Sequence, residues 1–479
     1  MKNKKVLIIS SIIAIIIVIA IVIGVLYFTT DLFKTDKQLF YKYIAKVKLM
    51  DNGFVNQYTV ANEKITKNSN SSLANINLST STPNAESGIE DVQEILKITS
   101  NGLANATLKQ SYRDFTLSSN NQNLFTLKYT RDNNIYALKA DNIVTKYIAV
   151  ENANLKELFA KLGVEDTTVI PDSIPTNYEE ILKIDEQTLN TLNQTYLTLI
   201  NNNIDDTHFY KTVNEDKTIT LGVSLSEQET YNLIKVILGT AKNDNTLLNL
   251  IINKAQLLGY TNITVQDVQS EIQTYIDDMN DDNYSTDKDF INLSILKKDN
   301  NIIAIELETN YEKEVSTTTG EIVVDVKPTV EKNKYNVILD FSELNKLTIS
   351  MKENNIEKVS IVINYAYDTD NINLNTELSV VENEANSTMK IQYQISNYQT
   401  ENILQNCIID FKDNTEETTY QVNLSNEIKL KQDVQIAKLT TENSAKINDM
   451  TSEEISHLIT AIVARVMSLY GTEINSLTM

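Results

Sequence analysis

At 479 residues, 42% hydrophobic and with a formal net charge of −22, the chain is too long for one ordinary core and too apolar for a disordered stalk. So acidic a chain is also a poor partner for nucleic acid or for an anionic membrane surface. The only cysteine, Cys407, excludes an internal disulfide and an N-terminal lipid-modified cysteine.

Lys2, Lys4 and Lys5 precede an apolar run over residues 6–28, broken only by Ser10, Ser11 and Gly24. As a helix it spans roughly 34 Å, enough for a hydrocarbon layer of ~30 Å. The run ends in bulky Val25, Leu26, Tyr27 and Phe28, without the small residues of a cleavage site. The expectation is a transmembrane helix acting as an uncleaved signal-anchor, with residues 1–5 as a cytoplasmic tail. A signal peptide cut at an unusual site and a buried core helix are the alternatives. Localisation follows: a single-pass cell-membrane protein, N-terminus cytoplasmic and C-terminal domain extracellular.

Residues 29–50 carry Leu39, Phe40, Tyr43, Ile44 and Val47 at helical spacing, a juxtamembrane helix docked on the domain above. From about 55 to 150 the period changes to two, as in Ala74-Asn75-Ile76-Asn77-Leu78 and in Phe125, Leu127, Tyr129. NANLKELFAKLG is a short helix capped by Gly163. The middle third reads as helices, with capping boxes at Ser226/Glu229 and Thr264/Asp267 and stops at Gly239 and Gly259. The unit over 51–285 is thus sheet and helix, ending in a helical segment.

Residues 286–479 read as an antiparallel meander with one apolar and one polar face. Val359, Ile361, Ile363 and Tyr365 alternate, as do Met389, Ile391, Tyr393 and Ile395, and Cys407, Ile409 and Phe411 share one strand face. A last helix begins at the Thr451/Glu454 capping box, carries an apolar stripe from Ile455 to Tyr470 and stops at Gly471, placed to cover the sheet. Three echoes, LKYTRDNNIYALK, SILKKDNNIIAIE and KENNIEKVSIVI, place Asn where a hairpin needs positive φ and hint at a duplication. The fold class expected is α+β: an N-terminal transmembrane helix, then an ectodomain of antiparallel β-meanders packed with amphipathic helices.

Chemistry is sparse. His208 and His457 lack further ligands at zinc spacing, and no GxSxG, HExxH or phosphate loop occurs. The chain reads as a non-enzyme without a cofactor. One stretch, DMNDDNYSTDKD, sets Asp278, Asn280, Asp282, Tyr284, Thr286 and Asp289 at the offsets of a calcium loop. Asn283 replaces the turn glycine, Asp289 the bidentate Glu, and a strand follows, so an acidic linker is the competing reading.

YALKADNIVTKYIAVENANLKELFAKLGV and VQIAKLTTENSAKINDMTSEEISHLITAIVARV resemble a family of uncharacterised membrane-anchored proteins (a domain of unknown function) of clostridia-like Gram-positive bacteria. The resemblance implies the same anchored layout and brings no activity, cofactor or catalytic residue. The expectation is a non-catalytic binding or scaffolding protein of the bacterial cell envelope, held in the cytoplasmic membrane through residues 6–28. Its partner would be an envelope protein, a wall polymer or a lipid. The alternatives are a carrier or sensor of a lipid-like apolar ligand between sheet and helices, and a cell-wall hydrolase with two carboxylates about 5–10 Å apart.

Overall fold

A computed structural model describes residues 34–83, 90–119, 122–164, 167, 170, 172–174, 184–257, 263–279, 284, 286, 290–315, 329–382, 385–413, 418–431 and 433–477. Among them are eighteen strands. β1 (Asn70–Pro83), β2 (Glu90–Asn105), β3 (Gln110–Ser119), β4 (Gln122–Asp132), β5 (Ile135–Ala140) and β6 (Tyr147–Glu151) come first. β7 (Phe209–Val213), β8 (Ile219–Leu225), β9 (Ile291–Lys298) and β10 (Asn301–Val315) follow. Then come β11 (Thr329–Asp340), β12 (Lys346–Glu353), β13 (Ile356–Tyr367) and β14 (Asn371–Glu382). β15 (Ala385–Ser396), β16 (Asn402–Asp413), β17 (Thr419–Leu430) and the short β18 (Ser444–Lys446) complete the set.

All eighteen belong to one sheet. Antiparallel pairings between successive strands chain β1 to β6 and β7 to β17, with the helices of residues 227–278 inserted between β8 and β9, and β1 joins the two runs by pairing with β2 on one side and β17 on the other. β18 lies parallel to β6; every other pairing is antiparallel. The turns form where side chains tolerate positive φ. Asn133 (φ 57°) turns β4 into β5, Asp299 (54°) turns β9 into β10, and Asn354 with Asn355 (51° and 68°) turns β12 into β13. These are the three DNN/ENN words of the sequence.

Eight helices accompany the sheet among the described residues: α1 (Asp36–Ile44), α2 (Asn52–Lys67), α3 (Leu155–Lys161), α4 (Glu186–Asn203), α5 (Glu227–Ala241), α6 (Asn245–Leu257), α7 (Val265–Asp278) and α8 (Ser452–Leu477). Reciprocal capping boxes open α5 at Ser226/Glu229 and α7 at Thr264/Asp267. Gly239 stops nothing, because α5 runs through it to Ala241.

Two cores result. Leu39, Phe40, Tyr43 and Ile44 of α1 bury against Leu221, Val223 and Ile295 of β8 and β9. Phe54 and Ala61 of α2 bury against Ile372, Ile395, Ile403 and Ile428 of β14 to β17, with Tyr398 closing the edge. Helix α2 takes in residues 55–67 of the expected period-two stretch, because Asp51 caps its first turn and Phe54 and Ala61 fall seven residues, two turns, apart.

The α+β expectation is corrected. β1 hydrogen-bonds to β17 over twelve residue pairs and β8 to β9 over seven, so strands of both expected sheet-and-helix units form one continuous, predominantly β sheet. Helices α1 and α2 cover parts of its apolar face. No described helix is long and apolar enough to cross a membrane, which says nothing of a β-barrel. The longest, α8, carries Glu453, Glu454, His457 and Arg465. Residues 6–28 lie outside the described residues. The transmembrane helix, the signal-anchor and the single-pass localisation with an extracellular C-terminal domain are corrected on that finding: no helix among the described residues performs them.

The covering helix is corrected as well. α8 starts at the expected Thr451/Glu454 box and buries Ile455, but Ile459, Val463 and Met467 are 48, 54 and 53% exposed. It continues past Gly471 to Leu477.

Candidate functional site

Side chains of a strand alternate between faces, so the registers state which residues share a face. Beginning at β6, directly paired residues run Ile148, Leu138, Tyr129, Arg113, Gly102, Ser72, Ile428 and Ile403 across eight strands. Four residues along, a second row runs Phe125, Leu117, Ile98, Ile76, Leu424, Cys407, Tyr393, Leu374 and Tyr365. One pleat further, Leu96, Leu78, Val422, Ile409 and Ile391 follow. The opposite face carries polar side chains such as Asn75, Asn423, Asn406, Gln392 and Asn375. The face that carries the rows is therefore predominantly apolar across β1 to β6 and β13 to β17, with Ser100, Asn426 and Gln405 as polar members of the row between the first two.

Helices α1 and α2 cover the two patches described above, and the rest of that face is open. Ile76, Leu78, Ile98, Leu117, Leu424, Ile409 and Ile391 are half-buried, shielded by their cross-strand neighbours. Toward the far hairpins the exposure rises: Phe125, Val380, Phe411 and Tyr420 are 38, 38, 42 and 40% exposed.

At the α2 end of the open region the face sinks into a groove of about 330 Å³, lined among others by Asn70, Ser72, Arg113, Phe115, Tyr129 and Leu138. Its floor exists because position 102 has no side chain. Arg113 lies across Gly102 and donates from Nη2 to Ser72 Oγ at 3.0 Å. Burial pulls the Arg113 guanidinium below its ordinary pKa, partly offset by the Asp114 charge. Asp114 points to the polar face, where it accepts from Asn101 backbone N–H and Nδ2. Among the described residues no ion pair is formed by Arg113.

A second guanidinium borders the groove. Arg131 pairs in register with Ser111, one diagonal step from the Arg113–Tyr129 pair, about 7–8 Å away by strand geometry. It donates from Nε to Asn133 O at 2.8 Å and sits 5.3 Å from the Tyr136 ring centroid. Between the Arg113 row and the Leu78 row, the apolar-face positions of β1 to β4 and β15 to β17 hold no Asp or Glu.

The residues singled out from sequence fare otherwise. Of the calcium-loop set, Asn280, Asp282 and Asp289 lie outside the described residues. Asp278 ends α7, and the Tyr284 ring stacks on Tyr231 of α5 with centroids 3.9 Å apart. No group of three or more His, Cys, Asp or Glu side chains among the described residues is placed to hold a metal ion. His208 pairs with Glu229 at 3.4 Å, and His457 is exposed on α8. Cys407 sits on the apolar face, where burial pushes its thiol up; beside it burial pushes Tyr393 up to about 12.

Sequence reading missed Arg113, Ser72 and Gly102. The available signal was that only three residues are arginine, Arg113, Arg131 and Arg465, in a chain whose other basic residues are lysine, and that two of them alternate with aromatics in SYRDF and KYTRD.

No family model and no curated protein matches the chain. Solved structures similar to parts of it are the CymD monoaromatic hydrocarbon channel, 7% identical, covering 82% of this chain and 97% of that one at a TM-score of 0.18; Pseudomonas aeruginosa OpdQ, 6%, 75% and 96%, TM-score 0.15; and a mutant Rh. blastica porin, 6%, 74% and 99%, TM-score 0.15. At such TM-scores these likenesses carry no argument about this chain.

Proposed function

We propose that this chain is a non-catalytic binding protein whose open apolar sheet face carries a lipid-like ligand. The supporting observation is the row Phe125, Leu117, Ile98, Ile76, Leu424 and Cys407, which lies outside the cluster that α2 covers and ends where Tyr58 of α2 meets Tyr393. Leaving such a strip in water costs about 25 cal/mol for each Å² of apolar surface, and an acyl chain laid along it removes that cost. The ligand site is the sheet face itself, rather than a closed cavity between sheet and helices.

The test is native mass spectrometry of the full purified chain with solvent extraction of bound lipid, followed by titration with cis-parinaric acid. Saturable binding displaced by oleyl alcohol is the expected result. Phe125→Glu and Leu117→Glu, each placing a charge on the open row, should weaken it about tenfold or more. A chain that carries no lipid and shows no saturable uptake would remove the proposal.

A further inference from the structure

We propose that the Arg113 groove is the headgroup subsite of this face, so that the ligand is an amphiphile with an oxyanion head and an acyl chain. This rests on the binding reading above and goes beyond it by naming the ligand's chemical class.

Three observations carry it. The first is placement. The face offers apolar contact along the strands, and its cationic groups, Arg113 and Arg131, sit together at one end of the open region, in the β3–β4 hairpin. An apolar chain alone would gain nothing from a guanidinium there, whereas a chain ending in an oxyanion fits both ends. From the Arg113 row the strands extend about 30 Å, ten residues from Ser72 to Thr82, along the apolar rows.

The second is incomplete pairing. A guanidinium presents five N–H donors in a planar fork suited to carboxylate or phosphate. Arg113 is half-buried, and its hydrogen bond among the described residues goes to the Ser72 hydroxyl, a neutral acceptor. Nothing acidic shares its face between the Arg113 and Leu78 rows, although the chain carries 64 Asp and Glu residues. In a chain this acidic, a half-buried cation facing a groove without a carboxylate partner is positioned for a negative charge from outside.

The third is the floor. A Cβ at position 102 would stand 2.5 Å from Ser72 Oγ and 2.9 Å from Arg113 Nη2. The absent side chain lets the guanidinium lie flat in the groove, with Tyr129 directly opposite Arg113 and Phe115 next along its strand. Their rings flank the place where a headgroup would sit.

The experiment compares oleate, oleyl phosphate and oleyl alcohol as competitors of cis-parinaric acid on the full-length protein, with acetate and inorganic phosphate as heads without chains. The wild type should prefer the two anionic amphiphiles over the alcohol by about tenfold or more, with the stronger of the two naming the head. Arg113→Gln should abolish the preference, the affinities for oleate and oleyl phosphate falling to that for oleyl alcohol. Gly102→Ala, which displaces the guanidinium without removing it, should reduce the preference in the same direction, and circular dichroism melts confirm folding of both. Equal affinity for all three chains, or a preference that survives Arg113→Gln, would overturn the headgroup subsite and leave the apolar-face reading standing. Failure of all three chains to bind would remove both.

Discussion

Arg113 Nη2 and Ser72 Oγ are 3.0 Å apart although β2 runs between their strands, because the bond passes over Gly102, to which both are directly paired. The geometry is a consequence of register: three consecutive strands bring a cation, a gap and a hydroxyl into one row. Gly102→Ala separates the fold from the site. The added methyl meets only the ends of movable side chains, and Ala limits the unfolded chain more than Gly does. Stability should stay within about 1 kcal/mol of wild type by urea denaturation, while the preference for anionic over neutral amphiphiles falls.

Phe54 tests what holds α2 on the sheet. It is 4% exposed, with its ring centroid 4.9 Å from that of Tyr365, and its cluster contains Ile372 and Ile395, both fully buried. Phe54→Ala should cost about 3–5 kcal/mol of the unfolding free energy of this region. It should also raise binding of a hydrophobic dye, because loosening α2 lengthens the open face. A loss below about 1 kcal/mol in denaturant titration would show that α2 is not a structural cover.

Much of this was legible in the sequence, for identifiable reasons. Period-two alternation in β13 to β17 marks apolar and polar faces because it is local, and the Asn turns mark hairpins because positive φ is a property of one or two residues. The continuity of the sheet was not legible. Joining the two runs takes the pairing of Ser72 with Ile428, 356 positions away in the chain, and no local pattern encodes a partner at that distance. The α8 stripe shows the complementary error: Ile459, Val463 and Met467 announce an amphipathic helix but do not say what, if anything, meets it. The groove escaped for the same reason as the sheet, since Ser72, Gly102 and Arg113 become a site only through register.

Asp51 gives the cap of α2 a pH dependence. Its carboxylate accepts from the Gly53 backbone N–H at 3.1 Å and from the Tyr367 hydroxyl of β13. The Tyr367 hydrogen bond, followed by those of the Phe54 and Gly53 backbone, holds its pKa below the usual carboxylate range. A depressed folded pKa means stability that is fully present above the unfolded value, ~3.9, and lost as pH falls through the folded one. Asp51→Asn keeps a capping side chain but removes the charge. It should be less stable than wild type at pH 6, and the difference should close below about pH 4. Urea midpoints of the two proteins across that range decide it; a gap that does not narrow as pH falls below about 4 would assign the effect to capping geometry instead of charge.

The last helix allows a test within one element. Ile455 is 2% exposed at the start of α8, and Arg465, near the middle of the helix, donates from Nε to Asn142 O at 2.9 Å, which ties α8 to the β5–β6 connection at mid-length. On either side of Arg465 in sequence, Val463 and Met467 are about half exposed, although they continue the stripe that begins at Ile455. Packing energy depends on what a side chain touches rather than on its hydrophobicity, so substitutions along one stripe should separate into two classes. Ile455→Ala should destabilise by about 2–5 kcal/mol, as loss of a buried branched side chain does. Val463→Lys and Met467→Lys should each stay within about 0.5 kcal/mol of wild type, as exposed substitutions do. If either lysine variant costs as much as Ile455→Ala in denaturant unfolding, the stripe is packed in solution and α8 covers the face that the geometry leaves open.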